Sequence, residues 1–210
     1  MRVRFMHTSD WQLGVTRQFL DTDAQARWSA ARFDAIRNLG QIAVQENCEF
    51  IVVAGDIFES NQVDRRIVGK ACEVMNGISI PIFLLPANHD SLDAASVFLS
   101  KYWKERKPAH VSVLEQAGVP LEVRPGVEVL GAPWTSKRPL NDLIASAASA
   151  KLSTSPDPST GLRSIEPAFL SFAICQARPG RAVPESPGTA ERAREGQVFH
   201  RPHSAFAQRS

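Results

Sequence analysis

Apolar residues come in short blocks along this chain, and three of the blocks share one form. Ile51-Val52-Val53-Ala54 runs directly into Gly55-Asp56. A continuous β-branched run stopped by glycine predicts a strand buried on both faces, as in a parallel sheet. Val3–Thr8 leads in the same way into Ser9-Asp10-Trp11-Gln12-Leu13-Gly14, and Ile80–Leu85 into Pro86-Ala87-Asn88-His89-Asp90. The residues between them change period. Thr22-x-x-Gln25 has the form of a capping box and predicts a helix to about Glu46. Its apolar stripe runs through Ala26, Ala30, Phe33, Ile36 or Arg37, and Ala43, with Arg27, Arg32 and Arg37 mostly off it. The second strand is expected over Glu49–Ala54. Val63, Ile67, Ala71 and Val74 predict a second helix over Val63–Asn76, with Gly77 at its C-cap. Strand–helix–strand–helix–strand predicts parallel pairing with right-handed crossovers.

Beyond Asp90 the pattern predicts a short helix from Ala94 to about Tyr102 and a fourth strand over Val111–Leu114. A hairpin of Leu121–Val123 and Val127–Gly131 is expected around Arg124-Pro125-Gly126. A helix is expected over Pro139–Ala150, with the proline near its first turn, where a missing N–H costs little. The pattern then fails. Residues 151–210 hold seven of the 14 prolines, seven arginines and one lysine. Residues 153–161 have a linker composition, and Ile165–Cys175 is the one apolar cluster. Such a stretch buries too little surface to offset chain entropy, so 176–210 is expected to be mostly disordered. The expected division is a domain over 1–150 and a Pro/Arg/Ser-rich, largely disordered tail over 151–210.

Charge sharpens this division. The net charge is +2. Residues 151–210 carry eight Lys+Arg against five Asp+Glu, or +3, leaving −1 for residues 1–150. The part with the strand-end motifs therefore has no bulk electrostatic footprint for nucleic acid. If it binds DNA, it does so with a local patch and a bound cation. No apolar run approaches the ~20 residues of a membrane span. The N-terminus has no long apolar h-region. Cys48, Cys72 and Cys175 are scattered and odd in number, which fits a reducing compartment. A cytoplasmic protein with no membrane contact is expected.

Open α/β sheets place their ligands at the carboxyl ends of the strands. An unpaired carboxylate is costly to bury there, and a cation compensates it. Three strands here each deliver hard oxygen donors or an imidazole at that end. The spacing of Asp10, Gln12, Asp56 and Asn88-His89 resembles the calcineurin-like metallophosphoesterase superfamily. Its pattern is D-x-H, then G-D, then G-N-H-D/E, then later histidines including G-H-x-H. Within it, HTSDWQLG, GDIFES, LLPANHD and GAPW resemble the SbcD-type exonucleases of double-strand-break repair, over about residues 1–145.

The resemblance implies an α/β fold: a metallophosphoesterase-like layered sandwich, helices flanking two mixed sheets, incomplete at its C-terminal side. It implies metal-dependent phosphodiester hydrolysis on DNA, by an exonuclease or endonuclease of repair, with an SbcC-like ATPase as partner. It implies two divalent metal ions, with manganese expected. Asp10 and Gln12 would hold the first ion, Asp56 would bridge both, and Asn88 would hold the second. His89 would face the scissile phosphate, with Asp90 orienting it. Two such cations about 3.5–4 Å apart repel unless an anionic ligand sits between them, which suits an aspartate on a rigid strand end.

Three departures stand against that pattern. Gln12 offers a neutral oxygen where the pattern has histidine. Ala87 replaces a glycine, at a cost of about 1 kcal/mol if the backbone there needs a positive φ. The distal histidines are absent, since only His200 and His203 follow His110. His200-Arg-Pro-His203 is a poor substitute, with a repelling arginine between its imidazoles. The composition predicts that residues beyond about 150–165 are not the family's sequence, through a frameshift, an alternative reading or a truncation. A phosphatase or phosphodiesterase for small molecules stays open, because the shared motifs handle phosphate and not the leaving group. So does a catalytically dead fragment. Of the remaining residues, His7 is expected to pack on its strand and His110 to be a solvated loop residue. Ser136-Lys137-Arg138 is expected in a solvated loop after the hairpin, with contact to a DNA phosphate as the alternative. Trp11 and Trp134 either pack in the core, flank the site or stack on a base.

Overall fold

The computed structural model of the protein describes residues 3–140, 142–145, 147 and 173–177. Four parallel strands form one sheet in the order β1-β2-β3-β4: β1 (Met6–Thr8), β2 (Ile51–Ala54), β3 (Ile82–Leu85) and β4 (Val111–Val113). The crossovers carry α1 (Thr22–Gln45), α2 (Arg65–Asn76) and α3 (Lys101–Arg106). Three antiparallel strands, β5 (Leu121–Arg124), β6 (Val127–Gly131) and β7 (Ala173–Ala177), make a second sheet.

The two-residue period of each strand divides the core into two layers. Ile51, Val53, Ile82, Leu84 and Val111 face Phe33, Ile36 and Ala43 of α1, Val68, Ala71 and Met75 of α2, and Trp103 of α3. Val52, Phe83 and Leu85 point the other way, onto Val127 and Val129 of the second sheet. All three helices thus lie on one face of the parallel sheet, and the second sheet covers the other. This is the layered α/β sandwich expected from the sequence. Its described strands sort into one parallel and one antiparallel sheet, and are not mixed within a sheet.

Several boundaries differ from expectation. Strand β1 begins at Met6, although Glu49 N–H still bonds Arg4 O at 2.7 Å and Phe5 stacks on Phe50 at 5.2 Å. Helix α1 is capped by Asp21, which accepts from Ala24 N–H at 2.7 Å, and not by Thr22. Gln25 is thereby freed to tie down the preceding loop. Asp64 caps α2 at its start. Gly77 ends it with φ −77°, so its left-handed freedom is unused. The segment expected as one helix from Ala94 splits into a 3₁₀ turn, Val97–Leu99, and α3, because the Ser100 side chain accepts from Trp103 N–H and restarts the helix. The hairpin turns at Pro125-Gly126, where Gly126 has φ 81°.

In the expected helix from Pro139, residues 143–145 and 147 are helical. They follow Asp142, which accepts from Ile144 and Ala145 N–H, so Pro139 lies ahead of the first turn. In the expected tail, residues 173–177 form β7, paired antiparallel to β6 from Val127↔Ala177 to Gly131↔Ala173. The strand begins in the tail's one apolar cluster and takes in Gln176 and Ala177, which were expected to be disordered. The other residues from 148 on, His200 and His203 and the proposed frameshift with them, lie outside the described residues.

Candidate metal and phosphate site

The parallel register sets three strand ends side by side, with Thr8 level with Val53 and Ala54 with Leu85. Beyond β1 and β2 the chain makes two matching turns. Asp10 and Asp56 both take a left-handed backbone, φ 56° and 52°, and Gln12 follows at 43°. The turns are stitched together. Asp10 N–H donates to Gly55 O (3.1 Å), Gln12 N–H to Asp56 O (2.8 Å) and Leu13 N–H to Ile57 O (2.9 Å). Burial alternates along this stretch. Trp11, Leu13, Ile57 and Phe58 enter the core, while Asp10 is exposed and Gln12 and Asp56 are half-buried. Phe58 is wedged against Phe98 and Trp103, which fixes the second turn. Arg32 of α1 donates Nη1 to Trp11 O at 2.6 Å and fixes the first. A left-handed backbone costs a non-glycine residue roughly 1–2 kcal/mol. Such strain concentrates where function requires a particular side-chain placement.

The third strand end supplies the loop Pro86–Asp90. Asp90 is fully buried. Its carboxylate accepts Ala87 N–H at 2.9 Å and Phe58 N–H at 3.0 Å, stapling this loop to the Asp56 turn. Burial pushes its carboxyl up to about 6, against the pull of those backbone donors. The expected role for Asp90, orienting His89, is not what the structure shows. Its side chain is turned inward to satisfy backbone donors, and Glu59 does the orienting. His89 Nδ1 lies 2.8 Å from Glu59 O and 3.9 Å from the Glu59 carboxylate. A carbonyl only accepts, so Nδ1 carries the proton and Nε2 is the ring's available edge. That carbonyl, then the charges of Asp56, Glu59 and Asp90, hold the His89 pKa above its ordinary value, against the opposing effect of burial. The His89 N–H donates to Asp56 Oδ1 at 3.3 Å, and Asn88 is exposed beside it. Ala87 is buried and is not among the left-handed residues, so no strain attaches to alanine there.

Burial, and then the negative charges of Asp10 and Glu59, push the Asp56 carboxyl above its ordinary value, although His89 opposes them. A cation at this edge reverses that cost. Asp10, Gln12, Asp56 and Asn88 offer oxygen donors, the set that suits a hard divalent ion. Asp10, Gln12 and Asp56, on the stitched turns, are the described donors for one such ion. For a second ion the sequence reading offers Asn88, with Asp56 expected to be shared. Among the described residues no three His, Cys, Asp or Glu side chains form a group that could hold a metal ion.

Glu59 and Arg32 carry parts of this site that the sequence reading did not assign. Glu59 lies within the GDIFES motif, but nothing in its spacing shows the chain turning back toward His89. Asn61 is a third. It donates to Ser91 O at 2.8 Å and accepts Val97 N–H at 3.1 Å, bracing the loop after Asp90. His7 is exposed on β1. His110 is not a solvated loop residue, since its Nε2 lies 3.1 Å from Met75 O. Trp11 is core, and Lys137 and Arg138 are exposed.

Helices, a parallel sheet and a second sheet in layers, with aspartates held at the carboxyl edge, define a phosphoesterase of the layered α/β class. The sequence model of the calcineurin-like phosphoesterase family matches residues 3–136, and the chain belongs to that family. It is 29% identical over 92 residues to the DNA double-strand break repair protein Mre11 of Archaeoglobus fulgidus, covering 42% of this chain and 19% of that protein. It is 23% identical over 138 residues to the SbcD subunit of nuclease SbcCD from Staphylococcus epidermidis, covering 64% of this chain and 35% of that protein. The chain thus spans about a fifth and about a third of the curated relatives it matches. No helix among the described residues is long and apolar enough to cross a membrane.

Proposed function

We propose that this chain is a metal-dependent phosphodiester hydrolase acting on DNA, of the exonuclease or endonuclease kind used in repair. The observation that carries the reading is the pair of stitched turns, which present Asp10, Gln12 and Asp56 from strained backbone on adjacent strand ends. Family membership supports the phosphoester chemistry, and the two relatives, one named for DNA double-strand break repair and the other as a nuclease subunit, support the substrate.

In this reading Asp10, Gln12 and Asp56 hold a first divalent cation. Asp56 and Asn88 begin a second site, and manganese suits the oxygen donors. A bound cation stabilises charge on the phosphate and lowers the pKa of a water. His89 works at the departing oxygen. Its Nδ1–H is held by Glu59 O, which leaves Nε2 to supply the proton. Asp90 acts on neither metal nor phosphate but fixes the spacing of the Asp56 and His89 loops. Residues 1–150 form the catalytic unit, β7 is borrowed from the tail, and a cytoplasmic SbcC-like ATPase is the proposed partner. One observation favours a second reading, a catalytically dead fragment: no three-acid or histidine group is gathered among the described residues.

Asp56→Asn separates the two. Asparagine tolerates the left-handed backbone, and its oxygen can still accept from His89, so the fold is expected to hold within about 1 kcal/mol. Equilibrium dialysis against manganese and digestion of a labelled duplex are the measurements. The parent is expected to retain ion and digest DNA, and the variant to lose at least about tenfold in each. A parent with no metal-dependent digestion overturns the proposal.

A further inference from the structure

The loop between Gln12 and α1 is rigidly built. Gln25 Oε1 accepts Arg17 N–H at 2.8 Å, and Gln25 Nε2 donates to Val15 O at 3.2 Å and Ser29 Oγ at 3.0 Å. Leu20 N–H closes a turn onto Arg17 O at 3.1 Å, leaving Phe19 near its tip, 84% exposed. Two guanidinium groups converge on one indole. Arg17 Cζ lies 5.6 Å and Arg32 Cζ 4.1 Å from the centre of the Trp28 ring. Neither arginine makes an ion pair among the described residues. Burial, and then the Arg17 charge, lower the Arg32 pKa, with Glu59 opposing them. Arg32 meanwhile touches Trp11 O, between Asp10 and Gln12. A cationic pair is therefore held on one indole, with Arg32 bonded to the proposed metal turn, in a domain whose net charge is −1 and which needs a local patch to bind nucleic acid.

We propose that Arg17, backed by Arg32 on Trp28, binds a backbone phosphate of a single-stranded nucleic acid, and that Phe19 stacks on a neighbouring base. Exposed aromatics beside arginines are the common means of holding unpaired strands, because every base has a face to stack. Arg17 is the contacting cation, and Arg32 positions both Trp28 and the Trp11 turn. The inference rests on the DNA reading above but is read out by binding alone.

The test is fluorescence anisotropy of a labelled single-stranded oligonucleotide on the full chain in EDTA, over a series of salt concentrations. Arg17→Ala is expected to weaken binding by roughly fivefold or more, and to lower the slope of log affinity against log salt by about 0.7. Arg17→Lys is expected to restore most of both. Phe19→Ala, a surface change that leaves folding intact, is expected to weaken binding by roughly fivefold with the slope unchanged. Inorganic phosphate at the same phosphate concentration is expected to compete poorly. A parent that does not bind, variants that bind like the parent, or displacement by inorganic phosphate at matched concentration overturns the site. Binding with these sensitivities in a chain that digests no DNA would overturn the hydrolase reading and leave this site standing.

Discussion

Gln12 stands in a left-handed backbone where the family pattern has histidine. Its amide oxygen is a hard, neutral donor, whereas imidazole suits zinc and iron. Gln12→His is therefore expected to shift ion preference toward zinc over manganese by about tenfold. Histidine also visits the left-handed region more readily than glutamine, so no loss of stability is expected. Competition dialysis with both ions checks it, and an unchanged ratio removes Gln12 from the ion's shell. At this scale the sequence placed Asp10, Asp56, Asn88 and His89 on one edge, because each follows directly from a recognisable strand. It misjudged Asp90, because nothing in Asn-His-Asp shows which of three polar side chains turns inward to meet backbone donors. It left Glu59 and Arg32 unassigned, because their partners lie 30 and 21 residues away.

Elements were legible wherever one period dominated. The four apolar runs became β1 to β4, and the two stripes became α1 and α2. Boundaries shifted where a side chain competed for a backbone donor, as Asp21 did for Ala24 and Ser100 for Trp103. Strand β6 ends in a contact that the sequence does not announce. A Cβ on Gly131 would lie 2.8 Å from Leu114 Cβ, from Leu114 Cδ1 and from Leu85 Cδ1. The first of these is anchored to backbone and cannot swing aside. Gly131→Ala is therefore expected to lower stability by about 1–3 kcal/mol through overpacking between the two sheets. Urea denaturation measures it. A midpoint equal to the parent's would mean that the second sheet gives way at little cost.

Across the whole molecule the layers are tied at their edge by Glu49, just before β2, and Arg124, at the end of β5. Arg124 Nε and Nη2 both donate to the Glu49 carboxylate, the latter at 3.1 Å. That bond holds the Glu49 pKa below its ordinary 4.5, against partial desolvation. The folded chain thus releases this proton at lower pH than the unfolded chain. The stabilisation is complete above the ordinary value and is lost as pH falls through the lowered one. Glu49→Gln is expected to reduce stability modestly at pH 7, as befits a half-exposed pair, with the gap to the parent closing toward pH 3. Urea midpoints across that range check it, and a gap that does not depend on pH would sink it. Local pattern along the chain was enough to set the parallel strands, the helices between them and the edge at which the acids sit. These follow from period and punctuation, which are local. Long-range packing chose which face each helix covers, brought a segment at 173–177 into the second sheet, and made Asp90 staple loops while Glu59 holds the His89 ring. It also brought Arg17, Trp28 and Arg32 together beside the Asp10 turn. Those facts depend on contacts between residues far apart in the chain, where local preference says nothing and packing and hydrogen-bond satisfaction choose.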